Sequence, residues 1–203
     1  MSHREHLIIS ESGISLATYG AAGGALQDAA QQSIEIKDGL KQISIEPMEK
    51  DLMIDFEIVY NNPLIRTRRK KFKFSDGEFA SIYNSRTFCL YEDIDQIRSL
   101  GLAKGGSLEN AIVVKDNKIL NDDGLRSRDE FVSHKILDCL GDLMLTGHRI
   151  FGNIKTSQCG HQLTNDLLVK FLSDNSNWQF ESFDEKEKDN KTNGYMRSVA
   201  VNA

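Results

Sequence analysis

The sequence is poor in cysteine, has no long hydrophobic run and carries no excess of positive charge. Its three cysteines are an odd number without C-x-x-C spacing, which argues against a disulfide framework and a structural zinc knuckle. No run of about 18 apolar residues could span a membrane, and the N-terminus lacks the basic and apolar regions of a secretory signal. A formal net charge of −5 argues against general affinity for nucleic acid or anionic membranes. We therefore expect a cytoplasmic protein with no membrane span and no nucleic-acid partner.

The composition divides the chain into three parts. With 203 residues, 39% of them hydrophobic, the chain is long enough for one sizeable core. Residues 1–32 form an atypical N-terminal segment in which no clean helix or strand period is visible. Residues 33–183 carry clear patterns and form the predicted folded domain. Residues 184–203 are rich in charged residues and asparagine, lack an apolar period, and are predicted to be disordered.

Strand patterns dominate the first half of the folded domain. Apolar residues alternate on both sides of the Asp38-Gly39 turn, which predicts a hairpin. The same alternation from Leu52 to Tyr60 predicts an antiparallel strand with one buried face. A short strand is expected around Phe72 and Phe74, followed by a short helix over residues 76–83.

Helical patterns alternate with strands in the second half. Ser127 and Glu130 have the spacing of a capping box, so a helix of about five turns is predicted from there to Gly147. The remaining elements are helices over 92–100 and 163–172, and strands over 111–114, 118–120, 149–155 and 178–183. This order predicts an α+β fold, a two-layer sandwich of a mainly antiparallel sheet with helices on one face. A small β-α-β insert over about residues 89–118 completes the prediction.

The predicted helix before Gly147 carries one polar stripe. At about 100° per residue, His134, Lys135, Asp138 and Asp142 share one sector of the helix, and apolar side chains fill the opposite side. Histidine and aspartate four residues apart can supply two ligands to zinc or a similar divalent metal. An isolated pair of this kind is more often a structural hydrogen bond, and a metal site needs a third ligand.

Two further residue groups have both a catalytic and a structural interpretation. His161, after Gly160 at a strand-to-helix junction, could donate a proton with Asp142 orienting its ring, or could simply begin the helix. Thr87 could stabilise an oxyanion and Phe88 could stack on a substrate, although an ordinary strand start with one buried aromatic residue explains both.

The basic run over residues 66–73 allows a nucleic-acid patch, but a solvated loop entering an edge strand explains it more simply.

Consecutive motifs resemble the UDP-3-O-acyl-N-acetylglucosamine deacetylases, which commit the sugar to lipid A synthesis in Gram-negative bacteria. The likeness runs without gaps from about Ser85 to Trp178 and is weaker back to Ser33. It is specific because the polar stripe, a Gly-Gly-Ser turn and a Gly-His pair occur together in order. The motifs are Ser85 to Phe88, Gly101 to Ser107, Asn110 to Val114, Leu120 to Arg126, Asp129 to Lys135, Asp138, Gly141 to Leu143 and Gly160-His161.

The resemblance implies zinc-dependent hydrolysis of an amide, with release of acetate from a UDP-linked acylated glucosamine. We expect the protein to be a monomer. The roles implied are zinc ligands at His134 and Asp138, a proton donor at His161 supported by Asp142, an oxyanion contact at Thr87, and substrate contacts at Phe88 and Lys135. The insert would form a passage for the acyl chain.

The chain departs from the family pattern at three single positions. Cys89 and Leu90 replace a glycine and an aromatic residue that are usual in the family, and Gln158 stands where a lysine is common. These changes bear on the shape of the passage and on one polar substrate contact.

The family's first domain has little counterpart here, and this departure affects function most. That domain holds the general base and the third zinc ligand in a Glu-His-Leu motif. Glu5-His6-Leu7 repeats the letters, but Arg4 stands where the motif has an aliphatic residue, and both a remnant and a chance match fit them. Two hypotheses follow: a deacetylase with a zinc site, or a truncated non-catalytic domain with an incomplete metal site.

Overall fold

The computed structural model describes residues 5–8, 15–18, 25–30, 32–49, 51–77 and 79–183, and the side chains of 32–49, 51–77 and 79–179. The strands are β1 (Glu5–Ile8), β2 (Ser15–Thr18), β3 (Ala25–Ala30), β4 (Ile34–Asp38), β5 (Lys41–Glu46), β6 (Leu52–Ile58), β7 (Arg68–Lys73), β8 (Thr87–Leu90), β9 (Ala111–Lys115), β10 (Lys118–Ile119), β11 (Arg149–Ser157) and β12 (Trp178–Phe183). The α-helices are α1 (Ala80–Tyr83), α2 (Ile94–Ser99), α3 (Glu130–Leu143) and α4 (His161–Leu172). Short 3₁₀ turns lie at Phe74–Asp76, Tyr91–Asp93 and Met144–Thr146. None of the helices in these ranges is long and apolar enough to cross a membrane.

Strand β11 is the centre of the main sheet. Its residue Ile154 pairs with Ile45 of antiparallel β5 and with Ile54 of parallel β6, so these strands lie on opposite sides of it. Beyond them, β4 pairs with β5 and β7 pairs with β6, both antiparallel. At its other end β11 pairs with β3, which in turn pairs with β12. The described strands thus form a seven-stranded mixed sheet in which antiparallel pairings predominate.

The hydrophobic core lies between this sheet and two helices. Ile45, Ile54 and Ile154 are fully buried because period-two alternation points one face of each strand at the helices. Helix α3 contacts β6 and β7, and α4 contacts β4 and β5. Both helices turn their apolar sides to the core, including Phe131 and Phe171. The predicted α+β sandwich, with its hairpin at Asp38-Gly39, is confirmed.

A second, smaller sheet forms the insert. Strands β8 and β9 are parallel and joined through α2, and β10 pairs with β9 as a hairpin. Helix α2 is followed by Gly101, whose φ of 72° is the left-handed conformation that a glycine accepts without strain. The predicted β-α-β insert is therefore present.

The domain limits at residues 32 and 183 stay predictions. Strand β3 lies upstream of the first limit, in a stretch without a clean strand period, yet its main chain joins the main sheet. Residues 184–203, predicted to be disordered, lie outside the described residues.

Two local expectations are wrong. The expected edge strand is present in the described sheet, but it spans Arg68 to Lys73 and so takes up most of the basic run instead of following it, and Phe74 begins a 3₁₀ turn instead of continuing the strand. Helix α3 begins at Glu130, three residues after Ser127, but the expected capping box is wrong because no side chain caps the N-terminus of the helix. The capping box is absent because the Glu130 carboxylate has other partners.

Glu130 and Arg86 form a buried ion pair between the start of α3 and the segment before β8. The two side chains are 0% and 3% exposed. Glu130 Oε1 accepts hydrogen bonds from Arg86 Nε at 3.0 Å and from the Arg86 main-chain N–H at 3.1 Å, and Oε2 accepts from the Arg126 N–H. Arg86 also contacts the carboxylate of Asp123 at 2.8 Å and the Gly124 carbonyl at 2.7 Å. One carboxylate therefore joins three separate segments of the chain.

The surroundings of Glu130 favour its charged form. Burial acts to raise the pKa of the carboxyl, but the bonds from Arg86 and the two main-chain N–H groups outweigh it and hold the pKa below its ordinary value. A group whose pKa is lowered by folding stabilises the fold above its unfolded pKa, and that contribution is lost as the pH falls through the folded value.

Glu130→Gln should lower the free energy of unfolding by about 3 kcal/mol at neutral pH, because the buried guanidinium loses its buried charged partner and keeps only the exposed Asp123. Denaturant titration measures the loss. The gap to wild type should shrink as the pH falls below about 4.3, the ordinary pKa of glutamate. The matched control is the double variant R86M/E130Q, which leaves no orphaned charge and should lose less than the single variant. A double variant as unstable as the single one would contradict the ion-pair interpretation.

Candidate functional site

The polar stripe predicted on α3 is present. His134, Lys135, Asp138 and Asp142 are half-buried and share one side of the helix. The opposite side is buried in the core through residues that include Ile136, Leu137, Cys139, Leu140 and Leu143. The core therefore fixes the helix, and the helix presents the stripe at the protein surface.

His134 is held by a main-chain carbonyl. Its Nδ1 lies 3.0 Å from the oxygen of Ser85, the residue that precedes Arg86. Since a carbonyl oxygen only accepts, Nδ1 carries the hydrogen, and the neutral ring has its lone pair on Nε2. This Nε2 lies 3.2 Å from Oδ1 of Asp138, one turn further along α3. The tautomer that Ser85 selects thus directs the bare nitrogen at a carboxylate.

The two oxygens of the Asp138 carboxylate face different neighbours. Lys135 Nζ contacts its Oδ2 at 2.9 Å, and Oδ1 faces His134. Burial lowers the pKa of His134, although Asp138 and the Ser85 carbonyl act to raise it. A neutral imidazole and a carboxylate then present two lone pairs to each other, an arrangement that a cation between them would stabilise.

Asp142 and His161 form the second pair of the site. His161 Nδ1 lies 2.9 Å from Oδ2 and 3.0 Å from Oδ1 of Asp142, and it joins the start of α4 to the last turn of α3. The His161 side chain is 68% exposed and that of Asp142 is 17% exposed. Burial raises the pKa of the Asp142 carboxyl, against the opposing effect of His161. The ring is therefore anchored at Nδ1, with Nε2 available to a ligand.

Thr87 and Phe88 lie at the start of β8, just after the Ser85 carbonyl that holds His134. Phe88 is half-buried, with its ring 5.0 Å from that of Phe131 and 5.5 Å from that of Tyr60, both edge-on. Thr87 is exposed, and within the described ranges no hydrogen bond joins its hydroxyl to the other site residues. The structure thus brings the stripe and His161 together, whereas Thr87 and Phe88 only border them.

A complete metal cluster is not present among the described side chains. No group of three or more histidine, cysteine, aspartate or glutamate side chains in this part of the protein could hold a metal ion. His134 and Asp138 supply two donors. Glu5 and His6, for which the sequence leaves open a role as base and third ligand or a chance match, have their main chain in β1, but their side chains lie outside the described residues.

The basic strand β7 faces acidic neighbours. Arg69 makes two bonds to the Asp55 carboxylate, at 2.7 and 2.8 Å, and Lys73 lies 3.5 Å from Asp51. Lys70 reaches the hydroxyl of Ser133 on α3 at 2.8 Å. Because several of these cations are already paired with carboxylates of the same chain, β7 is a weaker candidate for a nucleic-acid interface than its sequence indicates.

Sequence reasoning missed two contributors to the site. The Ser85 carbonyl leaves no side-chain signal, since any residue has a carbonyl. Glu130 has a signal, because Glu130, His134, Asp138 and Asp142 follow one another at four-residue steps along α3. The capping-box spacing hid this longer series.

Comparison with known proteins adds an independent observation. The family model described as UDP-3-O-acyl N-acetylglycosamine deacetylase matches residues 16–173, which include α3, β8 and His161. The chain belongs to the UDP-3-O-acyl-N-acetylglucosamine deacetylase family. Curated relatives with that name come from Glaesserella parasuis, 40% identical over 159 residues, and Campylobacter hominis, 42% identical over 157 residues. A relative from Haemophilus influenzae is 42% identical over 189 residues.

The chain corresponds to only part of these family members. The matches cover 77% of this chain and 52% and 53% of the first two relatives, and 89% of this chain and 61% of the third. The chain thus spans about half the length of the curated relatives that it matches. The deacetylase activity in their names is accordingly a proposal for this chain.

Asp142→Asn should raise the free energy of unfolding at pH 7 by roughly 0.5 to 1 kcal/mol. Folding raises the pKa of this carboxyl, so its charged form costs free energy above the folded pKa. The gain should vanish below about pH 3.9, the ordinary pKa of aspartate, where the carboxyl is protonated in both states. Thermal or denaturant unfolding over this pH range measures it. The exposed Asp122→Asn is the control, with an expected change within about 0.5 kcal/mol. A less stable Asp142→Asn at pH 7 would mean that the bond to His161 outweighs the burial.

Proposed function

We propose that this chain is a zinc-dependent deacetylase that releases acetate from UDP-3-O-acyl-N-acetylglucosamine, a cytoplasmic step of lipid A synthesis, and that the described side chains form half of its active site. His134 and Asp138 are the proposed zinc ligands. His161 is the proposed proton donor, with Asp142 as its support. The relatives' name supplies the substrate, and the chemistry of the stripe supports the assignment of residues.

One observation carries the metal assignment. His134 Nε2 and Asp138 Oδ1 are both acceptors and lie 3.2 Å apart. The other ring nitrogen, Nδ1, donates to the Ser85 carbonyl, and the other carboxylate oxygen, Oδ2, contacts Lys135. Two ligands of a tetrahedral zinc ion, each about 2.0–2.1 Å from it, stand roughly 3.3 Å apart. Imidazole nitrogen and carboxylate oxygen are donors that zinc accepts readily. The donor set therefore fits two corners of a zinc site.

When bound, zinc supplies a Lewis acid that polarises the amide carbonyl and lowers the pKa of a bound water. His134 and Asp138 would hold the metal, and the Ser85 carbonyl fixes the imidazole through its Nδ1. Lys135 contacts Asp138 Oδ2, the oxygen that does not face His134, and, by resemblance, it also contacts the substrate.

His161 supplies the proton that the leaving amine needs. Its Nδ1–H donates to Asp142, so that the exposed Nε2 is the atom that holds and transfers the proton. The carboxylate of Asp142 stabilises the imidazolium before transfer and fixes the ring plane. By resemblance, Thr87 helps to hold the oxyanion and Phe88 lines the substrate site. Both border the stripe at the start of β8.

The remaining zinc ligand and the carboxylate base must come from outside the described side chains. Glu5 and His6 are the candidates within this chain. The competing function is a non-catalytic domain, favoured by the match to about half of each relative. The two differ in whether the chain holds zinc tightly.

The purified chain should bind one equivalent of zinc and release acetate from UDP-3-O-acyl-N-acetylglucosamine. His161→Ala should keep the zinc and lose about a hundredfold or more in acetate release, because only the proton donor is removed. Asp138→Ala should lose both. Metal analysis after dialysis and an acetate assay measure these outcomes.

His148→Ala, a histidine outside the stripe, is the control and should retain zinc and turnover. If the wild-type chain neither retains zinc nor releases acetate, it is not a catalyst by itself, and the non-catalytic function stands.

A further inference from the structure

One peptide unit touches α3 at two places. The carbonyl of Ser85 accepts from Nδ1 of His134 at 3.0 Å, and the N–H of Arg86, in the same peptide unit, donates to Oε1 of Glu130 at 3.1 Å. A trans peptide is planar and points its C=O and N–H in opposite directions. Glu130 and His134 stand one helical turn apart on α3, so this peptide spans the distance between their side chains.

The Glu130 end of this bridge is rigid. Its carboxylate is fully buried and is held by the Arg86 guanidinium through Nε at 3.0 Å and Nη2 at 3.3 Å, and by the Arg126 N–H. The guanidinium is itself fixed by Asp123 and the Gly124 carbonyl. Because a planar peptide cannot rotate one end without the other, fixing the N–H also fixes the direction of the Ser85 carbonyl.

The Ser85 carbonyl decides which ring nitrogen of His134 carries the hydrogen. If the carbonyl turned away, the hydrogen could move to Nε2, and that nitrogen would become a donor to Asp138 instead of a metal ligand. We propose that Glu130 is a positioning residue for His134, which through the Ser85–Arg86 peptide unit fixes the Nδ1–H tautomer and keeps Nε2 free to bind a metal. The metal part of this inference rests on the proposed function, whereas the tautomer part does not.

The test compares R86M/E130Q with R86M/E130L. Both variants lack the buried charges, and their side chains at position 130 are similar in size. Only glutamine keeps an oxygen that accepts the main-chain N–H of residue 86. A merely structural role of Glu130 in the ion pair would affect both variants alike.

The first readout is the tautomer of His134 in the metal-free chain, measured at about pH 8, where an ordinary imidazole is neutral. Long-range ¹H–¹⁵N correlation spectra distinguish a nitrogen with hydrogen from a bare one. We expect the Nδ1–H tautomer in wild type and in R86M/E130Q, and a mixture of both tautomers in R86M/E130L. The same tautomer state in both double variants would overturn the proposal.

The second readout is zinc affinity by chelator competition. We expect R86M/E130L to bind zinc about 10–100-fold more weakly than R86M/E130Q, as is usual when the partner of a ligating histidine is lost. Equal affinities would overturn the metal part. If wild type binds no zinc, the proposed function fails, while the metal-free spectra still decide the tautomer part.

Glu130→Asp serves if R86M/E130L does not fold. It keeps the buried charge beside the Arg86 guanidinium but shortens the side chain by one methylene, which draws the carboxylate away from the main-chain N–H of Arg86 and releases the peptide unit. A mixture of His134 tautomers in this folded variant supports the proposal, and a pure Nδ1–H tautomer overturns it.

Discussion

The buried carboxylate of Glu130 is the constraint on which the site depends. A charge without solvent contact is tolerated only when its lone pairs are fully used, and Glu130 uses them on the Arg86 guanidinium and two main-chain N–H groups. These partners come from the segment before β8 and from the loop that enters α3. The ion pair thus joins the small sheet to the helix that bears the stripe, and His134 is placed as a consequence of how that junction is satisfied.

Helix α3 stabilises the fold with one side and carries the candidate site on the other. One side is packed against β6 and β7, which fixes the position of the helix on the sheet. The other side holds two groups whose charged forms are disfavoured by burial, which lowers the pKa of His134 and raises that of Asp142. Poorly satisfied charges of this kind are typical of functional sites. Burial of the apolar side stabilises the fold and offsets the free energy that the polar side costs.

Most of the fold could be predicted from the sequence because apolar and polar residues alternate along much of its strands and residues such as Gly39 and Gly101 mark its turns. The hairpin at Asp38-Gly39, the insert closed by Gly101 and the polar stripe could all be read from local pattern. The start of α3 could not, because the spacing of Ser127 and Glu130 fits a capping box as well as it fits a helix that begins later. Tertiary contact with Arg86, distant in sequence, decided between the two. The role of Ser85 had no sequence signal, since a main-chain carbonyl belongs to every residue.

The arrangement of His134 and Asp138 is more informative than their identity. A structural histidine–aspartate pair would place a ring N–H against the carboxylate, which stabilises both groups. Here the ring N–H is taken by Ser85, and the lone pair of Nε2 meets Asp138 Oδ1, whose neighbouring oxygen already has Lys135 as its partner. Such an arrangement gains nothing from the pair itself, and either a proton on Nε2 or a cation bound between the two groups would stabilise it. The proposed zinc ligands correspond to the bound cation, and the commoner structural pair corresponds to the proton.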